Sequence, residues 1–174
     1  MQGKYVITGG SGTGKTTLVD ALQTRGFSTI PESSREFIEE LKRKDPGKLP
    51  WKNRLAFQEL IVARRTEDYL TAPTIGPVFF DRGLPDEIAF YIKDGFKPSE
   101  ECLHACETYR YDKIFFLPSW GAIFENDCVR AESFNESVRV QDIIKQAYKS
   151  QRYFCIEVPH LPVEGRIDFI LSNI

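Results

Sequence analysis

Short apolar runs alternate with longer amphipathic stretches along the chain. Lys4 to Thr8 (KYVIT) predicts a first strand that runs straight into glycines, followed by a helix from about Lys15 to Thr24. Phe27 to Pro31 predicts a second strand, and about Ser33 to Arg43 a charged helix. Asp45 to Pro50 (DPGKLP) is a loop on its proline and glycine content. Trp51 to Leu70 holds neither residue and predicts a long helix. Its loose apolar face (Leu55, Phe57, Leu60, Ile61) suits a helix that borders a cleft. Val78 to Phe80 is wholly apolar and ends in Asp81, the form of a buried parallel strand with an acid at its tip. Helices are predicted over Pro85 to Ile92 and Ser99 to Tyr109, and a fourth strand over Ile114 to Leu117, stopped by Pro118. Val140, Ile143, Ile144 and Ala147 mark an amphipathic helix, and Phe154 to Val158 a fifth strand. Val163, Ile167, Ile170, Leu171 and Ile174 stripe a closing helix that begins at Pro162.

Strands alternating with helices predict an α/β fold of three layers, a five-stranded parallel sheet with helices on both faces. Ligands of such sheets bind at the carboxyl ends of the strands. Residues 9–14, Glu32, Asp81 and the segment after Leu117 all fall there. No repeat, low-complexity tract or linker divides the chain, so a single domain over residues 1–174 is expected. Within it, residues 119–135 carry glycine, mixed charge and aromatics with weak periodicity, and are expected to form a lid.

Composition narrows the field without changing that picture. The 174 residues are 41% hydrophobic and 28% charged, and 23 basic against 25 acidic side chains leave a net charge of −2. That balance argues against a nucleic-acid or anionic-membrane partner, though a local basic cleft is compatible with it. No apolar run approaches the ~20 residues that span a bilayer, and MQGKYVITGG lacks the apolar region of a signal peptide. Cys102, Cys106, Cys128 and Cys155 show no disulfide or zinc spacing, which points to idle thiols and a cytoplasmic protein.

The chemistry concentrates in Gly9, Gly10, Ser11, Gly12, Thr13, Gly14, Lys15 and Thr16, with Thr17 following, which satisfy G-x-x-x-x-G-K-[ST] between a predicted strand and helix. Glycines let backbone N–H groups wrap a phosphate, and the helix N-terminus favours the anion. In this pattern Lys15 reaches the β- and γ-phosphates of ATP, and the Thr16 hydroxyl ligates Mg²⁺. Asp81 is either the second Mg²⁺ ligand or a cap on the next helix. Arg82 either steers a phosphate or substrate hydroxyl, or pairs with Asp81 or Glu36. Glu32 is either a general base for an acceptor hydroxyl or a first-turn helix acid. Arg35 reads as a solvated helix charge or a substrate clamp.

The blocks GGSGTGKTT, IPESSREF, VFFDRG, YDKIFFLP and NDCVRAE resemble the small AAA-like P-loop family that includes the nicotinamide riboside kinase domain of bacterial NAD-biosynthesis regulators. More distantly the chain is similar to deoxynucleoside and nucleoside monophosphate kinases. The resemblance implies a P-loop NTPase fold and an acceptor-hydroxyl role for Glu32, with serine here where those enzymes follow the glutamate with proline. It likewise aligns Asp81-Arg82 with an acid-Arg-Ser block, glycine standing for the serine. Gln58 resembles a base-reading glutamine, its alternative being solvated surface. Arg130, and as second candidate Arg139, resemble lid arginines that fold over the transferring phosphate; the alternative for Arg130 is an ion pair with Asp127. Trp120 and Phe124 stack either on a base or on neighbouring side chains.

A Mg²⁺-dependent transfer of the γ-phosphoryl of ATP to a nucleoside or riboside is therefore expected. A nucleoside monophosphate acceptor, as in cytidylate-type kinases, and a regulatory ATPase without a small acceptor are the alternatives. A guanine-specific switch lacks its N-K-x-D run, and a kinase of polynucleotide ends is disfavoured by the charge.

Overall fold

The computed structural model describes residues 3–32, 34–121 and 134–174, without the side chains of Arg35 and Phe134. In chain order the elements are β1 (Gly3–Gly9), α1 (Lys15–Thr24), β2 (Ser28–Ile30), α2 (Ser34–Lys44), α3 (Arg54–Thr71), β3 (Pro77–Asp81) and α4 (Leu84–Lys93). Then come α5 (Glu100–Thr108), β4 (Lys113–Leu117), α6 (Phe134–Ser150), β5 (Cys155–Glu157) and α7 (Val163–Ser172). The strands form one parallel sheet in the order β2-β3-β1-β4-β5.

Alternation along each strand divides the core between two faces. Val6, Phe80, Ile114 and Phe116 pack against α4, α5 and α6, while Tyr5, Ile7, Phe79, Phe115 and Leu117 pack against α1 and α7. Both faces are therefore apolar, which is why these strands read as continuous hydrophobic runs. A smaller cluster of Leu41, Leu49, Phe57 and Ile61 joins α2 to α3. Register places Ile7 beside Asp81 and Gly9 beside Leu117, so the ends of the central strands converge on one edge of the sheet.

Two local expectations shift. The long helix begins at Arg54 and not at Trp51, because the Asn53 side chain accepts the Ala56 N–H at 3.0 Å and caps it there, leaving Trp51 exposed. The DPGKLP loop contains a short 3₁₀ turn at Pro46–Lys48. Cys102 and Cys106 are buried and free in α5. Among the described residues no helix is long and apolar enough to cross a membrane.

The β3–α4 junction leaves no room at Gly83. A Cβ there would lie 2.9 Å from both Tyr148 Oη and Val6 Cγ2 and 3.0 Å from Tyr111 Cε2. The crowding accounts for a residue without a side chain at this position. Gly83→Ala is expected to destabilise the fold by about 1–3 kcal/mol through overpacking, read as a lower midpoint in denaturant unfolding; an unchanged midpoint would show that the three neighbours yield freely.

Candidate active site

The phosphate loop turns between β1 and α1. Gly14, the residue before α1, has φ of 82°, a left-handed conformation that side-chain-bearing residues resist. The loop's carbonyls are taken by the protein's own donors. Arg82 Nη1 reaches Gly9 O at 3.2 Å, and Thr13 Oγ1 and Lys15 Nζ reach Gly10 O at 3.0 and 2.7 Å. Ser137 Oγ reaches Ser11 O at 2.8 Å, and Arg166 Nη1 reaches Thr13 O at 3.2 Å. With the carbonyls committed, the loop is held in one shape before the N-terminus of α1, where N–H groups and helix dipole favour an anion.

Lys15 is buried, and burial together with the neighbouring Arg82 cation lowers its ammonium to about 8, against the pull of Asp81 and Glu32. An ammonium so placed lacks solvent compensation and gains from an incoming phosphate. Thr16 and Thr17 sit on the exposed first turn of α1, and Thr16 Oγ1 donates to Asp81 Oδ2 at 3.3 Å. The other oxygen, Asp81 Oδ1, is buried without a hydrogen-bond partner, and burial raises the Asp81 carboxyl despite nearby Lys15. A buried carboxylate oxygen in need of a partner, beside a hydroxyl and a phosphate loop, is a hard-oxygen donor set that fits Mg²⁺. Among the described residues no group of three or more His, Cys, Asp or Glu surrounds a metal position.

Arg82 corrects both of its anticipated ion-pair partners. Its φ of 72° is left-handed, a conformation that costs a non-glycine residue about 1 kcal/mol or more, and Arg82 pairs with neither Asp81 nor Glu36. The guanidinium instead donates from Nε to Glu32 Oε2 at 3.3 Å and from Nη1 to Asp86 Oδ1 at 3.1 Å. Glu32 also accepts Ser34 Oγ at 3.2 Å, and its side chain is 32% exposed, so it is the accessible end of this cluster. Burial alone would raise the Glu32 carboxyl, but Arg82, Arg65 and Lys15 outweigh it and bring it down to about 2.

Other assignments scatter. Gln58 is buried, with Nε2 donating to Asp94 Oδ2 at 3.0 Å, so it is not solvated surface; Arg54 shares the same carboxylate. Arg139 is exposed on α6. Trp120 stacks on His160 with ring centroids 4.9 Å apart and planes at 3°, the neighbouring-side-chain alternative for that ring. Arg130, Phe124 and the Arg35 side chain lie outside the described residues.

The sequence did not reveal Arg65 and Glu87, which form a buried ion pair behind the site, with Arg65 Nη1 also 3.4 Å from Asp81 O. Arg65 follows Gln58 by seven residues and so shares its helix face, a signal that was available. Asp86 follows Arg82 by four residues across the turn into α4, which is also legible in retrospect. Tyr148, Ser137 and Arg166 come from distant helices, and only the fold brings them in.

The AAA domain family model matches residues 4–166. No curated protein matches significantly in sequence. Among solved structures, a deoxyadenosine kinase from M. mycoides with dCMP and dCDP bound aligns with TM-score 0.63 at 17% identity over 98% of this chain and 97% of its own. Thymidylate kinase from Candida albicans aligns with TM-score 0.65 at 15% identity, over 99% of this chain and 90% of its own. Thymidylate kinase from Ehrlichia chaffeensis gives TM-score 0.65 at 15% identity, over 98% of both chains. The fold is the one these kinases share.

The low Glu32 carboxyl sets a pH dependence of stability. With a folded value near 2 against an ordinary 4.5, its contribution is present above the ordinary value and lost as pH falls through the folded one. The stability margin of the wild type over Glu32→Gln, from denaturant unfolding, should therefore shrink between about pH 5 and pH 2. A margin flat across that window would mean that Arg82 does not hold the carboxylate.

Proposed function

Proceeding from the AAA domain family to which this chain belongs, we propose that it transfers the γ-phosphoryl of ATP, with Mg²⁺, to a hydroxyl of a small acceptor, a nucleoside or riboside. One observation carries this choice: the accessible Glu32 carboxylate, paired with Arg82 at 3.3 Å, stands beside an intact phosphate loop. The kinases whose fold it shares act on nucleosides or nucleotides, as their names state, which supports the acceptor class.

The triphosphate lies on the N–H groups of residues 9–16, with Lys15 at the β- and γ-phosphates. Thr16 and Asp81 would hold Mg²⁺, which when bound supplies charge neutralisation to the phosphate oxygens. The acceptor oxygen bonds to the γ-phosphorus as the bond to the β-phosphate oxygen breaks, ADP departs, and the hydroxyl proton passes to Glu32. A carboxylate with so low a pKa is a weak base. It suits a loose transition state, in which the attacking oxygen stays nearly neutral until late and needs orienting first. Arg82, paired with Glu32 and bonded to Gly9 O of the phosphate loop, keeps the carboxylate ionised and adds positive charge near the transferred group.

A hydroxyl acceptor also fits the cations. The arginines described in this cluster are both committed, Arg82 to Glu32 and Asp86, and Arg65 to Glu87. A phosphate acceptor calls for cations not already paired. On sequence grounds, residues 119–135 with Arg130, followed by Arg139, serve as the lid of this one catalytic domain, in the cytoplasm.

Two measurements test this. Lys15→Ala should weaken ATP binding by at least about tenfold, measured calorimetrically, with the fold retained, because it removes the charge that meets the phosphates; an unchanged titration would sink the phosphate-loop role. ATP consumption screened over nucleosides, nucleotides and small sugars should rise with one hydroxyl acceptor. With that acceptor, Glu32→Gln should lower turnover by about 10²–10⁴-fold while ATP still binds. A mild effect with a nucleotide acceptor would select the monophosphate kinase, and steady hydrolysis without any acceptor the regulatory ATPase.

A further inference from the structure

Asp86 lies in the first turn of α4 with its carboxylate wholly buried, beyond reach of any ligand. On Oδ1 it accepts Thr8 Oγ1 at 2.6 Å and Arg82 Nη1 at 3.1 Å. On Oδ2 it accepts Tyr148 Oη at 2.6 Å and the Gly83 N–H at 2.9 Å. Capping α4 accounts for the Gly83 contact alone. The Oδ1 edge, which joins the end of β1 to Arg82, does something a helix cap does not require.

Three acceptors surround the Arg82 guanidinium, and they are not equivalent. Gly9 O is a neutral carbonyl. Glu32 is charged but accessible, and an acceptor hydroxyl that binds there competes with Arg82 for the same oxygens. Asp86 is charged and shielded, with its orientation fixed by Thr8 and by Tyr148 from α6. As Glu32 turns to an acceptor, the Asp86 contact is the charged one that persists, beside the neutral Gly9 carbonyl. An arginine with one loose partner would sample several rotamers, and its long side chain carries much entropy to be restrained. Charge-assisted contacts to a fixed carboxylate supply that restraint.

Given the phosphoryl-transfer role proposed above for Arg82, we infer that Asp86 is its positioning residue, holding the guanidinium through Nη1 from the protein interior so that the Nε edge faces Glu32 and the acceptor. The strained left-handed backbone is found at this same residue, whose guanidinium joins the phosphate loop to Asp86.

The test uses the full chain and reads Arg82 directly. Its Nε–H resonance in ¹H–¹⁵N spectra is assigned by its loss in Arg82→Lys. In the wild type this proton should exchange at least about tenfold more slowly than those of exposed arginines. Asp86→Asn should abolish that protection. With the acceptor identified by the screen, it should also lower kcat by about 100-fold, the scale of a small misplacement, with KM for ATP within about threefold. Ile144→Ala, a buried core variant on α6, should lose stability yet keep both the protection and kcat, which separates positioning from general loosening. If Asp86→Asn does not fold, Tyr148→Phe removes one donor that orients the carboxylate, and the protection should fall by at least about threefold. Fast Arg82 exchange in the wild type, or retained protection in folded Asp86→Asn or in Tyr148→Phe, overturns the inference. Loss of turnover in Arg82→Lys but not in Asp86→Asn overturns it alone. Full turnover in Arg82→Lys overturns the role given to Arg82 and this inference with it.

Discussion

The constraint on which the site depends is the burial of ionised groups where the strands end. Among the described residues, the half-buried Glu32 and the buried Asp81, Asp86 and Glu87 face Lys15, Arg65 and Arg82, one cation fewer than anions. Charges removed from water need partners, because attraction offsets desolvation only when geometry and hydrogen bonding are nearly complete. Asp86, Glu87, Arg65 and Arg82 meet that condition with one another. Asp81 does not, since one of its oxygens is buried without a partner. The missing positive charge and the unsatisfied oxygen coincide at the residue where a divalent cation fits.

Helix α6 enters this arrangement twice. Ser137 in its first turn donates to Ser11 O of the phosphate loop, and Tyr148, three turns on, donates to Asp86. Ser119 adds to the first contact through its N–H on Gln141 Oε1 at 2.9 Å. One rigid element thus touches both the phosphate loop and the cluster that holds Arg82, so a displacement of α6 is felt at both.

Most of this architecture was legible from residues close together in the chain. The phosphate loop declares itself because its glycines, Lys15 and Thr16 act through adjacent backbone. The strands were readable because burial on both faces makes them uniformly apolar, and Asp81 stands out as the acid that ends one. Facing and long-range pairing were not legible. A helix of loose amphipathicity does not disclose that Gln58 turns toward Asp94, nor that Arg65 meets Glu87, because the partners lie at the C-terminal cap of α4 and within α4. Trp120 and His160 follow different strands, and only the adjacency of β4 and β5 stacks their rings. The partners of Arg82 escape the sequence for a different reason: proximity favours Asp81, while the folded chain brings the guanidinium to Glu32 and Asp86.

That backbone angle has a consequence for how the protein can change. Glycine or asparagine would occupy this left-handed conformation with little penalty, a relief of about 1 kcal/mol. Either exchange would relieve the local strain and delete the guanidinium that Glu32 and Asp86 share. The loss would leave the Asp86 carboxylate buried without its cation, a cost of about 3–5 kcal/mol that outweighs the relieved strain, so durability and chemistry both hold arginine at this residue. A hardened descendant that keeps its chemistry would have to gain its stability elsewhere, in the two apolar faces of the sheet or on the outer surfaces of its helices.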